Sequence, residues 1–347
     1  MDLERAPGSL DKFVQESPPD GRANRHLMSG TTIRRAAQSA MRVLERSGVP
    51  DAYASAWLLS ASAARLGIVG VGVAQRNGDR VMTAQDLETL DNYVNRRCRR
   101  EPLQFIEGRV KFRAVALSVR PPVLIPRPET EELVELALEA ARRRIDSQPN
   151  CVPLRILDVG AGTGCIGLAM LAELPPGKAT CVALEPNAVA HSLVLENSPW
   201  PRHVHTVHHV SIESFASAEP FDLIIANLPY IPTADLVGLE PEVREWEDHA
   251  ALDGGADGLD VIRSLVRKLP ALLKDGTSPV FLEVDPSAPL ILAEWLGTAD
   301  DVAGGLLNRC AGSEPNVGMQ VDGAWNDLRG LMRFVRLQRR EAPNDRT

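Results

Sequence analysis

The chain has 347 residues, 44% of them hydrophobic and 24% charged, with a formal net charge of -8 and a pI near 5.5. That length fits two domains or one large one, and no apolar run reaches the roughly 18 residues needed to span a bilayer. The acidic balance excludes a protein that wraps long nucleic acid through phosphate neutralisation alone.

In chain order, residues 1–30 carry Asp2, Glu4, Asp11, Glu16 and Asp20 among Pro and Gly. They read as a disordered segment, unlike a signal peptide or an acid-poor transit peptide. From residue 31 to 102 the pattern is helical. "TTIRRAAQSAMRVLERSGV" sets Ile33, Ala36, Ala37, Ala40, Val43 and Leu44 on one stripe, with Gly48 placed to stop the helix. "DAYASAWLLSASAARLG" predicts a second helix stopped at Gly67, and "TAQDLETLDNYVNRRCRR" another, N-capped by Thr83. The run Arg96-Arg97-Cys98-Arg99-Arg100 reads either as a local basic patch or as a solvated helix end. The five cysteines, Cys98, Cys151, Cys165, Cys181 and Cys310, include no Cys-x-x-Cys pair. That predicts reduced thiols in an intracellular compartment, without a disulfide framework or a zinc knuckle.

Residues 103–125 change period, with two short alternating stretches about Glu107-Gly108, which predicts a hairpin connector. "RPPVLIPRPETEELVELALEAARRR" then leads through prolines into an amphipathic helix. Pro128 suits its first turn, and Glu129, Glu131 and Glu132 suit its positive dipole end. From there to residue 340, strands ("LRILDVG", "ATCVALE", "HVHTVHHV", "FDLIIAN", "SPVFLEV", "LMRFVRLQ") alternate with helical segments. Such alternation predicts an α/β domain with a largely parallel sheet and a ligand site beyond the strands' carboxyl ends. Residues 341–347 read as a disordered tail.

Chemistry concentrates at three strand ends. "ILDVGAGTG" has Asp158 at a turn followed by Gly160, Gly162 and Gly164. It lacks the Gly-Lys-Ser/Thr of a phosphate loop, and Cys165 breaks Gly-x-Gly-x-x-Gly. The pattern fits S-adenosylmethionine, with a dinucleotide site or a structural turn as alternatives. Glu185 ends the next strand, placed either to accept both hydroxyls of a ribose or to cap the helix that starts at Asn187. Asn227-Leu228-Pro229-Tyr230 has the [Asn/Asp]-x-Pro-aromatic form of enzymes that methylate nitrogens with delocalised lone pairs. The Asn227 oxygen and a neighbouring backbone carbonyl would each accept one N–H, and Tyr230 would offer a face to the flat group. The alternative is a turn after a strand. His203, His205, His208 and His209 read as a solvated strand edge with no metal implied. The glycines of "DGGADGL" read as a loop near the substrate mouth, since the calcium-loop spacing is absent.

Taken in order, "EPLQFIEG", "VLIPRPETEELVE", "ILDVGAGTGCIGLA", "NLPYIP", "EDHAALDGGADGLDVIRSL" and "FLEVDP" closely resemble the HemK/PrmC protein glutamine N5-methyltransferases that modify peptide-chain release factors. The proline-rich lead-in and "LLKDGTSPVFLEVDP" look most like the eukaryotic organellar, mitochondrial branch. The resemblance spans roughly residues 30 to 337. It implies a seven-stranded Rossmann-like class I S-adenosylmethionine-dependent methyltransferase domain, preceded by a small helical N-terminal domain that docks the release factor. It also implies a cofactor site of Pro126, Arg127, Glu129, Thr130, Asp158, Gly160, Ala161, Gly162, Thr163, Gly164, Glu185, Ser211, Ile212 and Asn227. Asn227, Leu228, Pro229 and Tyr230 become the catalytic, substrate-binding clamp around the glutamine of a Gly-Gly-Gln tripeptide. The implied protein is a monomer with a release-factor partner, without direct nucleic-acid or membrane partners and without a metal.

Two positions depart from the family pattern. Leu228 stands where the family usually has proline, which keeps the backbone carbonyl but loosens the loop. The acidic-aromatic pair that many members set against adenine is not evident, and "VSIESF" offers Ser211 and Ile212 there, with Glu213 as a substitute. Asn-Leu-Pro-Tyr also occurs in RNA adenine N6-dimethyltransferases, so methylation of an adenine amine in RNA or DNA is the competing reading. A degenerate methyltransferase fold acting as a binding protein is the non-enzymatic one. Mitochondrial location follows from the branch, with cytoplasm as the alternative given the acidic N-terminus and Met28 as a second start.

Overall fold

A computed structural model describes residues 30–147, 152–297 and 318–340, so the expected disorder of 1–29 and 341–347 lies outside the described residues. The chain divides into two compact units, one ending at Cys98 and the other starting at Arg99.

The first unit is helical among its described residues: α1 (Ile33–Arg46), α2 (Ala52–Ala63), α3 (Val71–Arg76) and α4 (Ala84–Cys98). α1 buries Ile33, Ala36, Ala37, Ala40 and Leu44, whereas Val43, expected on that stripe, is 43% exposed. Gly48 adopts φ +72° and its N–H reaches the Glu45 carbonyl, while Val49 N–H reaches the Leu44 carbonyl. Those are the two bonds of a Schellman stop, and both Val49 and Leu44 are buried. α2 stops short of Gly67: Arg65 takes the left-handed position and Leu66 N–H bonds back to Ala61. α4 opens on a reciprocal box in which Thr83 Oγ1 accepts from Asp86 N–H (3.1 Å) and Asp86 accepts from Thr83 N–H (2.9 Å). Arg97 is buried, paired with Asp51 at 2.5 Å and Ser55 at 3.2 Å. Arg97 is thereby withdrawn from the run, which is not a wholly solvated helix end.

The second unit begins with α5 (Leu103–Glu107) and the antiparallel pair β1 (Arg109–Phe112) and β2 (Val115–Ser118). The hairpin turn thus falls at Arg113-Ala114 and not at Glu107-Gly108. Gly108, at φ +71°, ends α5 instead. Then follow α6 (Pro128–Ser147), β3 (Leu154–Val159), α7 (Cys165–Glu173), β4 (Ala179–Leu184), α8 (Ala188–Asn197), β5 (His205–His208), β6 (Leu223–Asn227), α9 (Pro241–Arg244), α10 (Asp260–Leu272), β7 (Val280–Glu283), α11 (Ala288–Leu296), β8 (Met319–Asn326) and β9 (Met332–Arg339). A seven-stranded sheet runs β5-β4-β3-β6-β7-β9-β8, parallel except for β9, which is antiparallel to both neighbours.

Alternation along each strand builds a core on either face. Leu157, Val159, Ile224 and Ala226 pack with α10 and α11, while Ile156, Ile225 and Phe281 pack with α6 and α7. β3 feeds β4 on one side and neighbours β6 on the other, so the strand order reverses at the β3/β6 carboxyl edge, where this class of sheet opens its ligand crevice. β5 is the edge strand, but His205 is buried there with Nδ1 2.8 Å from Ser198 Oγ. Burial lowers its pKa to about 4, so the expected solvated edge fails at His205 and holds for His203, His208 and His209, which are exposed.

Candidate active site

The loop between β3 and α7 places Gly160, Gly162 and Gly164 at φ +74°, +58° and +84°. Such angles disfavour side chains, so the repeated glycines are a backbone requirement. Gly160 and Ala161 donate to the Leu184 carbonyl at 2.9 and 3.0 Å, tying the loop to the end of β4. Just beyond, Glu185 accepts from Gly162 N–H at 2.7 Å and Asn187 N–H at 2.8 Å. Its two oxygens each keep a lone pair for a further donor. Burial raises the Glu185 pKa, against the two backbone bonds that lower it.

Beside this loop lies a cavity of about 920 Å³, counting solvent at its mouth. It is lined by Gly160, Gly162, Glu185, Ser211, Ile212, Asn227, Leu228 and Pro229 among the expected residues, and by Glu213. Its size and mostly apolar walls fit a drug-sized ligand. An added Cβ at Gly162 would meet no protein atom within 4 Å, so the space above that residue is left open by the fold.

Other expected cofactor residues stand elsewhere. Asp158 lies wholly buried within β3, where Oδ2 accepts from Gly167 N–H in the first turn of α7 at 2.9 Å. It caps the helix from below and does not line the cavity. Ala161, Thr163 and Gly164 shape the loop, and Pro126, Arg127, Glu129 and Thr130 also do not line this cavity. Arg127 pairs with buried Glu247 at 2.7 Å and lines an adjoining pocket with Asn227, Leu228 and Tyr230.

Asn227 ends β6 in register with Glu283 at the end of β7. Its Nδ2 donates to Thr130 Oγ1 (3.1 Å), Thr130 donates to Glu283 Oε2 (2.8 Å), and the Tyr230 hydroxyl donates to Glu283 Oε1 (3.2 Å). The amide is thereby turned so that Oδ1 remains for another donor. Burial pushes the Tyr230 phenol above its ordinary range, so it stays protonated. The Leu228 side chain is buried at 4% exposure, with Cδ2 3.1 Å from where a Cβ on Gly160 would sit. Its side chain packs against the glycine loop, so what this residue can offer a substrate is its backbone carbonyl.

The "DGGADGL" loop is strapped to the same segment. Ile231 N–H bonds Leu252 O (3.0 Å), Gly254 N–H bonds Ile231 O (2.9 Å) and Thr233 N–H bonds Gly255 O (2.9 Å). Residues from distant stretches complete the cavity: Val123, Asn187, Asp248, Ala250 and Val261. Asn187 Nδ2 donates to Asp248 at 2.6 Å while its Oδ1 caps α8. Nothing in local sequence announces that meeting. Glu283 carried a fainter signal, as an acid at a strand end like Glu185.

Two family models match: the PrmC N-terminal domain over residues 35–108 and the methyltransferase small domain over residues 145–236. The chain is 35% identical over 271 residues to the human MTRF1L release factor glutamine methyltransferase, covering 75% of this chain and 78% of that protein. It is 40% identical to the release factor glutamine methyltransferase of Geobacter sulfurreducens over 71% of this chain and 81% of that one. For the Deinococcus radiodurans protein of the same name, the identity is 37% over 85% and 94%. With its helical N-terminal segment, seven-stranded sheet and glycine-loop cavity, the chain belongs to the S-adenosylmethionine-dependent release factor glutamine methyltransferase family.

Proposed function

We propose that the chain methylates the side-chain nitrogen, N5, of the glutamine in the Gly-Gly-Gln tripeptide of a peptide-chain release factor, at Asn227-Leu228-Pro229-Tyr230. The observation that carries this reading is the set of the Asn227 amide. Its Nδ2 is engaged by Thr130, which leaves Oδ1 to accept a substrate N–H. An amide nitrogen is a poor nucleophile because its lone pair is delocalised. Acceptors on its hydrogens favour the pyramidal geometry in which that pair is released. A carbonyl of the loop supplies the second acceptor, and Tyr230 and Arg127 bound the neighbouring pocket that would receive the amide.

The cavity fits the cofactor through the open space above Gly162 and the spare lone pairs of Glu185, with Ser211 and Ile212 on the wall assigned to adenine. When bound, S-adenosylmethionine supplies an electrophilic sulfonium methyl. The residues of the chain orient the nitrogen in line with it, and positioning carries the rate. In the same reading the helical unit docks the release factor, which binds to a monomeric enzyme. Purified chain, S-adenosylmethionine and a release factor, followed by mass spectrometry of the Gly-Gly-Gln peptide, test the activity. An unmodified glutamine would count against it.

Mitochondrial residence is the finer reading, supported by the organellar look of the proline-rich lead-in; the human and bacterial relatives match to similar extents. A C-terminally tagged full-length chain found only in the cytosol would overturn it.

A further inference from the structure

Glu283 has no place among the residues expected at the site, yet it reaches both ends of the clamp, Tyr230 directly and Asn227 through Thr130. It is 1% exposed, stands in register with Asn227, and accepts from Thr130 and Tyr230 through separate oxygens. An ionised carboxylate can only accept, whereas a hydroxyl has one hydrogen to give. Once Thr130 gives its hydrogen to Glu283, its oxygen can only accept from Asn227. The group facing it must then be the Nδ2 amine, and Oδ1 must face the other way. Without that carboxylate Thr130 is free to donate to Oδ1. The amide can then turn over, presenting N–H groups to the N–H groups of a substrate amide.

We infer that Glu283 is a positioning residue that sets the polarity of the clamp: through Thr130 it fixes which end of the Asn227 amide meets the substrate, and through Tyr230 it fixes the ring. The inference deepens the proposed glutamine reading and rests on it for the identity of the substrate, though not for the state of the Asn227 amide. Glu283 is faced by Arg333, which favours its ionised form, and by Glu129, which opposes it; Thr130 and Tyr230 bond it, and burial disfavours the charge most. Protonation gives Glu283 a hydrogen of its own to donate, so the lock opens as pH falls through a pKa that burial raises.

The test uses the full chain with Thr130→Val, Thr130→Ser, Glu283→Gln and the Thr130→Val/Glu283→Gln pair. Methyl transfer to a purified release factor is read with S-adenosylmethionine affinity by calorimetry. Thr130→Val should lower kcat about tenfold with cofactor Kd within about threefold, and Thr130→Ser should stay within about threefold of wild type in both. The double variant should be no worse than the poorer single one, because both break the same chain of bonds. The wild-type acid limb of kcat should be absent in Glu283→Gln. If that variant does not fold, the threonine pair decides. Wild-type kcat in Thr130→Val, or costs that add in the pair, would overturn the lock. If wild type methylates no release factor, the substrate reading fails separately. The lock is then read from the Asn227 side-chain amide protons, assigned by their loss in Asn227→Ala. Slower hydrogen exchange in wild type than in Thr130→Val supports it, and equal rates sink it.

Discussion

Gly160, Gly162 and Gly164 all take left-handed φ, but their neighbours differ. A Cβ on Gly160 would press on Leu228, one on Gly164 on Leu168 and Val194, and one on Gly162 would meet nothing. Only at Gly162 does a side chain enter open cavity space. Gly162→Val should therefore weaken S-adenosylmethionine binding at least about tenfold by calorimetry, beyond the roughly 1–2 kcal/mol of backbone strain that affects stability alone. Unchanged affinity would mean that this loop is not the cofactor loop. Leu228 supplied the main support for an adenine substrate when read as a string. With its side chain packed under Gly160, core filling explains that residue without reference to substrate.

At the level of elements, the strap between the clamp and the "DGGADGL" loop makes a specific demand. Gly258 sits at φ +77°, and a Cβ there would lie 2.2 Å from the Tyr230 carbonyl oxygen. Gly258→Ala must move backbone on the catalytic side. It should lower the melting temperature by about 5 °C and reduce kcat, with cofactor affinity kept. Wild-type kcat would show that the strap does not set the clamp. The buried parallel strands were legible because both faces are covered: β6 and β7 read as continuous apolar runs ending in Asn227 and Glu283. β8 was not, since Gly323 and two register shifts break its alternation. The hairpin was misplaced for a related reason. Its true turn uses Arg113 at positive φ, held by Glu173 at 2.7 Å and the Glu131 carbonyl at 2.9 Å, contacts that local turn chemistry does not encode. At the site, residues at strand ends (Glu185, Asn227) could be read. Asn187 and Asp248 could not, because they meet only when the chain folds.

Asp158 links the sheet domain's stability to pH. Burial raises its pKa from 3.8 to about 7, and its Oδ1 has no hydrogen-bond partner among the described residues. A carboxyl with a raised folded pKa stabilises most below its unfolded pKa, and that contribution is lost as pH rises to about 7. Asp158→Asn keeps an acceptor for Gly167 without the charge. Its melting temperature relative to wild type should rise from pH 5 to pH 8, by an amount equivalent to at most roughly 3 kcal/mol. A difference constant with pH would contradict the assignment.

At the scale of the whole molecule, one amide orients another. The most direct measurement pairs wild type with Asn227→Ala, reading methylation of the release-factor Gly-Gly-Gln glutamine by mass spectrometry and S-adenosylmethionine affinity by calorimetry. Wild type should add one methyl group to that glutamine; Asn227→Ala should add none while its cofactor Kd stays within about tenfold. Wild-type turnover in Asn227→Ala would contradict the account.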